Sequence, residues 1–373
     1  MKKIFSLAAA LLACLPLCSP SVTAAAQSAE TGLSAYAAIL TETSTGEILY
    51  AKNANERCPM ASTTKIMTAV VALEHGDLAK PVQIAEKACG VEGSSIYLTA
   101  GEELTLEDLL YALMLESAND AAAAIAYEIA GGIEPFAELM NQTAERLGLN
   151  DSHFTNPHGL DDEAHYTTAA DLAKLTAYAL QNPKFRQIVS TYKHQIPLRG
   201  DEGVRVLLNH NKLLRMSEDV IGVKTGFTRH SGRCLVSAAQ RDGVRMIAVT
   251  LNAPDDWQDH RAMLDYGFSR YASVTLASPG AYSVELPCVG AEKGLLTAVN
   301  REELTAVLPV GTAVTELVES RGMWFAPVEE GQTVGLVRFF ADGREIGSVT
   351  LTAASAVECP PVKPGLLERI LDF

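Results

Sequence analysis

Apolar and polar positions divide the chain into three textures. "YAAILTETSTGEILYAK" places two short apolar runs, near Ala37–Thr41 and Glu47–Ala51, around a turn containing Gly46, which predicts a β-hairpin. In "CPMASTTKIMTAVVALEHG", Ile66, Ala69, Val70 and Leu73 recur at helical spacing. That predicts a core-packed helix stopping at Gly76. Four helices are then expected between about Thr105 and Leu180, in "TLEDLLYALMLES", "NDAAAAIAYEIAGG", "IEPFAELMNQTAERLG" and "TTAADLAKLTAYAL". Thr105 and Asp108 have the spacing of a capping box. Strand patterns return in "VIGVKTGFT", "CLVSAAQ" and "VRMIAVTL", the last two joined by "RDG", and a helix near Asp256–Phe268 closes the unit. Strands at both ends with helices between them imply one sheet assembled from distant parts of the chain. Beyond Ser273, short alternating runs broken by Gly, Pro and Asp-Gly predict a small all-β domain.

The two ends differ from this pattern. "MKKIFSLAAALLACLPLC" has Lys2 and Lys3, an apolar run from Ile4 to Leu17, then small residues, the form of a secretory signal peptide cleaved near Ala24–Ala26. "LLAC" faintly resembles a lipoprotein cleavage site, but the apolar run continues past Cys14. The C-terminal "PGLLERILDF" carries Leu366, Leu367, Ile370 and Phe373 at helical spacing. It is short and weakly basic, so docking on the β domain is favoured over membrane binding.

The whole chain has 373 residues, 48% hydrophobic and 20% charged, with a formal charge of −15. Losing Lys2 and Lys3 with the leader takes that to −17, a field that repels nucleic acid and anionic lipid. Of seven cysteines, Cys58, Cys89, Cys234, Cys288 and Cys359 would remain, with no CxxC pair and no metal-ligand spacing. Their odd number precludes complete intramolecular pairing, and Cys234, in an apolar run, reads as a buried thiol. No metal site and no cofactor are expected.

Three motifs carry candidate chemistry. Ser62 and Lys65 lie three apart, so hydroxyl and amine can meet on one helix face. A buried amine favours its neutral form and can then act as base toward the serine. Alone, the pair also fits a serine at a helix start and a solvent-facing lysine. Ser117 and Asn119, in "LESAND", fall in a short link between helices, where they read either as cleft residues or as helix caps. In "GVKTGFT", Lys224 offers a fixed cation on an edge strand, Thr225 a hydroxyl, and Gly226 a close backbone approach. The Phe227 and Ser62 N–H groups are candidates for an oxyanion hole.

S-x-x-K, S-x-N and K-T-G in this order form the set named for penicillin-binding proteins and class A β-lactamases. From about Tyr36 to Tyr271 the chain resembles the serine-type D-alanyl-D-alanine carboxypeptidases, the low-molecular-mass penicillin-binding proteins of peptidase family S11. "GSSIYLTAGEELTLEDLLYALMLESAND", "NPHGLDDEAHYTTAADLA" and "LDYGF" belong to the likeness. The resemblance implies an α+β fold: a β-lactamase/transpeptidase-like domain with an antiparallel sheet and a helical subdomain, then a small all-β domain. The expected division is signal peptide 1–26, catalytic domain 27–272, β-rich domain 273–360 and tail 361–373. The implied catalytic residues are Ser62, Lys65 and Ser117; Asn119, Lys224, Thr225, Gly226 and Phe227 would bind substrate.

The implied substrate is a peptidoglycan stem peptide ending in D-Ala-D-Ala, outside the cytoplasmic membrane, with β-lactams as covalent inhibitors. No nucleic-acid partner and at most peripheral membrane contact are expected. Asp161 matches an acidic position in the family's helical region, with a structural or supportive role implied. Some members carry an arginine before the final helix that helps bind the substrate carboxylate. Here that region holds Asp255, Asp256 and Asp259, with Arg261 nearby and Arg229 as a substitute, so the role is unassigned. A β-lactamase would need a glutamate that "LNDSHFTNPHGLD" lacks. A non-catalytic wall protein of this fold would be expected to have lost one of Ser62, Lys65, Ser117 or Lys224.

Overall fold

A computed structural model describes residues 32–198 and 203–359. The expected signal peptide and C-terminal tail lie outside the described residues. The first part contains β1 (Ala37–Glu42), β2 (Ile48–Lys52), α1 (Lys65–His75), β3 (Pro81–Gln83), β4 (Glu103–Thr105), α2 (Leu106–Leu115), α3 (Asn119–Ala130) and α4 (Ile133–Arg146). There follow α5 (Ala169–Ala179), α6 (Pro183–Ser190), β5 (Lys193–Pro197), β6 (Val204–Leu208), α7 (Leu213–Met216), β7 (Val220–Thr228), β8 (Gly232–Arg241), β9 (Val244–Leu251) and α8 (Asp256–Arg270).

The main sheet is antiparallel with order β2-β1-β9-β8-β7, so N-terminal strands pair with strands some 200 residues later. Alternation along β1 explains how both faces are buried. Ala37 and Ile39 face the core formed with α1, α2, α3 and α5, while Ala38 and Leu40 face Met263 and Leu264 of α8. The predicted capping box forms at α2: the Asp108 N–H donates to Thr105 Oγ1 at 3.1 Å, and the Thr105 N–H to Asp108 Oδ2 at 3.1 Å. Sequence periodicity missed α6 and the β5–β6 hairpin (paired Lys193–Pro197 with Val204–Leu208), whose short, half-exposed runs carry weak patterns.

From Tyr271 onward the described elements are all strands: β10 (Tyr271–Ala277), β11 (Ser283–Val289), β12 (Leu295–Asn300), β13 (Leu304–Pro309), β14 (Val314–Ser320), β15 (Trp324–Phe325), β16 (Thr333–Ala341) and β17 (Arg344–Ala353). Six of them form the sheet β14-β16-β17-β12-β11-β15. They enclose a separate core that includes Leu286, Leu296, Val337 and Leu351. Cys58, Cys89, Cys234, Cys288 and Cys359 carry free thiols, and Cys234 is buried as expected. No helix among the described residues is long and apolar enough to cross a membrane.

Candidate active site

The predicted helix around Ser62 divides in two. Ala61–Thr64 form a 3₁₀ turn and the α-helix begins at Lys65. Ala61 has φ +45°, a left-handed conformation that costs a residue with a Cβ about 1–2 kcal/mol. The surroundings hold it there. The Thr155 N–H donates to His165 Nδ1 at 3.0 Å, so the ring proton sits on Nε2 and is donated to Thr64 Oγ1 at 2.8 Å. Thr64 in turn donates to the Ala61 carbonyl at 2.8 Å. Burial lowers the His165 pKa to about 4, which keeps the ring neutral in this role. Gly159 (φ +86°) packs against the same carbonyl, only 2.0 Å from where a Cβ would lie.

Lys65 is fully buried behind Ser62. Its Nζ lies 2.7 Å from Asn119 Oδ1, 2.6 Å from the His158 carbonyl and 3.0 Å from Ser62 Oγ. Desolvation, reinforced by the nearby Lys224 charge, pushes its pKa well below the usual lysine value, against a smaller opposite pull from Asp120. A neutral amine has two N–H bonds and one lone pair. Asn119 Oδ1 and the His158 carbonyl accept the two N–H bonds, which leaves the lone pair for the Ser62 hydroxyl proton. The Asn119 orientation is fixed independently, because its Nδ2 donates to the Glu92 carbonyl at 2.5 Å.

Ser117 lies between α2 and α3 and also adopts a left-handed φ, +59°. Neither Ser117 nor Asn119 caps α3, whose N-cap is Ala118 without a side-chain bond. The capping alternative therefore fails for both. Ser62, Ser117, Thr225, Gly226 and Phe227 open onto one cleft of about 340 Å³. Strained backbone at Ala61 and Ser117 thus flanks the same space.

The opposite wall comes from β7, the free edge of the sheet. A Cβ on Gly226 would lie 3.0 Å from the Ser62 nitrogen and 3.1 Å from that of Thr63, so only glycine permits this approach without displacement. Phe227 stands opposite Arg233 of β8, and the Arg233 carbonyl accepts the Ala253 N–H on the β9 side. Alternation along an antiparallel ladder then directs the Phe227 N–H off the free edge, toward the cleft. Lys224 is buried beneath the strand with its Nζ donating to the Thr225 carbonyl at 2.9 Å, and burial lowers its pKa to about 7. The Thr228 hydroxyl donates to Asp161 at 2.8 Å, fastening the end of β7 to the loop that holds His158.

Residues 22–255 match the family model described as D-alanyl-D-alanine carboxypeptidase of peptidase family S11. The chain is 31% identical over 330 residues to D-alanyl-D-alanine carboxypeptidase DacF of Bacillus subtilis, spanning 86% of this chain and 85% of that one. The chain belongs to the D-alanyl-D-alanine carboxypeptidase family. Its fold is similar to penicillin binding protein 5 of Haemophilus influenzae, with TM-score 0.63 and 28% identity over 87% of this chain and 98% of that one. A second solved likeness is a peptidoglycan synthesis regulatory factor (PBP3) of Streptococcus pneumoniae, with TM-score 0.68 and 26% identity over 87% and 100% of the two chains.

Against this family background, the arginine of the cleft is one the sequence reading missed. Arg229 and Arg261 are both exposed, and neither lines the cleft. Arg233, Asp256 and Trp257 do. Arg233 donates through one terminal nitrogen to Asp256 at 2.8 Å, and its guanidinium lies 5.7 Å from the Trp257 ring centre. Asp256 is buried, which pushes its carboxyl pKa up against the pull of Arg233. The usable signal was the register: an arginine nine residues after Lys224, across a tight turn, returns beside Phe227.

Proposed function

We propose that Ser62 performs the D-Ala-D-Ala carboxypeptidase reaction in this chain, with Lys65 as its base. The observation that carries this reading is the Lys65 environment, which spends both N–H bonds of the neutral amine on fixed acceptors and aims its lone pair at Ser62 Oγ. Lys65 takes the hydroxyl proton as Oγ attacks the carbonyl of the penultimate D-Ala. The Ser62 and Phe227 N–H groups stabilise the oxyanion. When the peptide C–N bond breaks, the proton passes by way of Ser117 to the departing D-Ala amine. Water then attacks the Ser62 ester as Lys65 accepts its proton, the acyl C–Oγ bond breaks, and Lys65 returns the proton to Oγ, which regenerates Ser62.

The terminal carboxylate lies between Thr225, the Lys224 cation beneath it and the open edge of the Arg233 guanidinium. Asp256 and Trp257 orient the Arg233 guanidinium before substrate arrives, which reduces the ordering cost of binding. Penicillins enter the same cleft and acylate Ser62. The basic leader and short apolar run support export, which places the enzyme where peptidoglycan is. Release of D-Ala from a peptide ending in D-Ala-D-Ala, present in the native chain and lost in Ser62→Ala, tests the assignment. Equal release by both proteins would overturn it.

A further inference from the structure

The Ala61 carbonyl and the Ser62 N–H are the two ends of one peptide unit. Such a unit is planar and trans, so its C=O and N–H point in opposite directions and rotate together. Whatever fixes the Ala61 oxygen therefore also fixes the direction of the Ser62 N–H, one of the two donors proposed for the oxyanion. Two contacts fix that oxygen. The buried Thr64 hydroxyl donates to it at 2.8 Å. Gly159 closes another side, where a Cβ would lie 2.0 Å from the Ala61 oxygen and 2.9 Å from Thr64 Oγ1. The peptide plane has no room to swing.

A threonine hydroxyl bonded three residues back is an ordinary local device in helices and by itself would mean little. Two observations separate this one. The carbonyl it holds belongs to a residue at φ +45°, which relaxes toward the ordinary region once released. The hydroxyl is also fed from a distant segment. Its one proton goes to Ala61, so its oxygen accepts the His165 Nε2–H at 2.8 Å. His165 is itself buried and held twice, by the Thr155 N–H on Nδ1 at 3.0 Å and by the edge-on Phe154 ring, with 5.9 Å between centres. A continuous donor chain thus runs from His165 through Thr64 to Ala61. Such chains polarise one another, which makes the Ser62 N–H at the far end a stronger donor.

We infer that Thr64 and His165 are positioning residues for the oxyanion hole: they aim and polarise the Ala61–Ser62 peptide unit without touching substrate. This role rests on the acyl-enzyme reading above. As negative charge builds on the substrate carbonyl oxygen, the Ser62 N–H already points at it and need not reorganise. The neutral carbonyl of the bound substrate uses the same donor more weakly. Loss of the chain therefore slows acylation and leaves binding before acylation nearly unchanged.

Stopped-flow acylation by benzylpenicillin separates the acylation rate constant from the dissociation constant of the complex that precedes it. Thr64→Val removes the hydroxyl at nearly constant volume. Its rate constant should fall at least about tenfold, with the dissociation constant changed less than about twofold. Thr64→Ser keeps the hydroxyl and should recover most of the rate. His165→Asn and His165→Gln form an independent pair, since the Asn amide stands near the Nδ1 position whereas the Gln amide reaches that of Nε2. Only Gln keeps a donor for Thr64, so it should acylate about tenfold faster than Asn. Equal rates in the two His165 variants, a native rate in Thr64→Val, or a loss confined to the dissociation constant would overturn the proposal. A native chain that forms no adduct at Ser62 would instead remove the reading beneath it.

Discussion

Gly226 and Ser62 approach so closely that a Cβ on the glycine would lie 3.0 Å from the serine nitrogen. That nitrogen is half of the proposed oxyanion hole. Gly226→Ala must push β7 and the Ser62 turn apart by a few tenths of an ångström. Acylation by benzylpenicillin should fall at least about tenfold, since losing one oxyanion donor costs roughly 100- to 1,000-fold. The melting temperature should change little, because β7 is an edge strand. A variant acylated at the native rate would show that this contact does not set the oxyanion geometry.

The buried Lys65 amine gives acylation a pH dependence of definite sign. The neutral amine is the active form, so acylation is lost as pH falls through the lowered Lys65 pKa and reaches a plateau above it. A guanidinium does not deprotonate in proteins. Lys65→Arg should therefore lose about 100- to 10,000-fold in acylation rate, with no recovery at high pH. Stopped-flow acylation across pH reads this directly, and near-native rates in Lys65→Arg would refute the base assignment.

Lys224 and Arg233 should separate with pH as well. Burial holds the Lys224 pKa near 7, so its cation is present below that pH and fades above it. Arg233 stays charged throughout. KM for a D-Ala-D-Ala peptide should rise modestly from about pH 6 to pH 9 in the native protein, and about tenfold more steeply in Arg233→Gln. A pH-independent KM in Arg233→Gln would exclude Lys224 as a titrating carboxylate partner.

Much of this site was legible because its motifs are short and local. Ser62 with Lys65, Ser117 with Asn119, and the Lys224 strand each occupy a few consecutive residues, and the order of the three motifs identified the family. Arg233 was missed because its spacing from Lys224 acquires meaning only once β7 and β8 are set in register across their turn. The Thr64–His165 brace spans about a hundred residues and joins types that mean little singly. In the fold, long periodic helices such as α2 and α3 were readable, whereas the β5–β6 hairpin was not, because its burial is partial on both strands.

The brace beneath Ser62 has a stability consequence. Gly159 sits at φ +86° with the Ala61 carbonyl 2.0 Å from a would-be Cβ. Gly159→Ala combines backbone strain with a clash against main chain, and should lower stability by at least about 2 kcal/mol. Denaturant unfolding measures it. A loss within about 0.5 kcal/mol would mean that the loop shifts freely and does not brace Ser62.

A Ser62 that forms an acyl-enzyme in this cleft would be captured covalently by a penicillin. The strained amide of a penicillin stands beside a carboxylate, as the scissile bond does in D-Ala-D-Ala. Once the ring opens, the tethered leaving group stays near the ester and obstructs water. Intact-protein mass spectrometry after mixing with benzylpenicillin should show one added inhibitor mass that persists for minutes, located on the peptide containing Ser62 and absent in Ser62→Ala. Rapid consumption of the antibiotic with no adduct, or an adduct that remains in Ser62→Ala, would contradict the account.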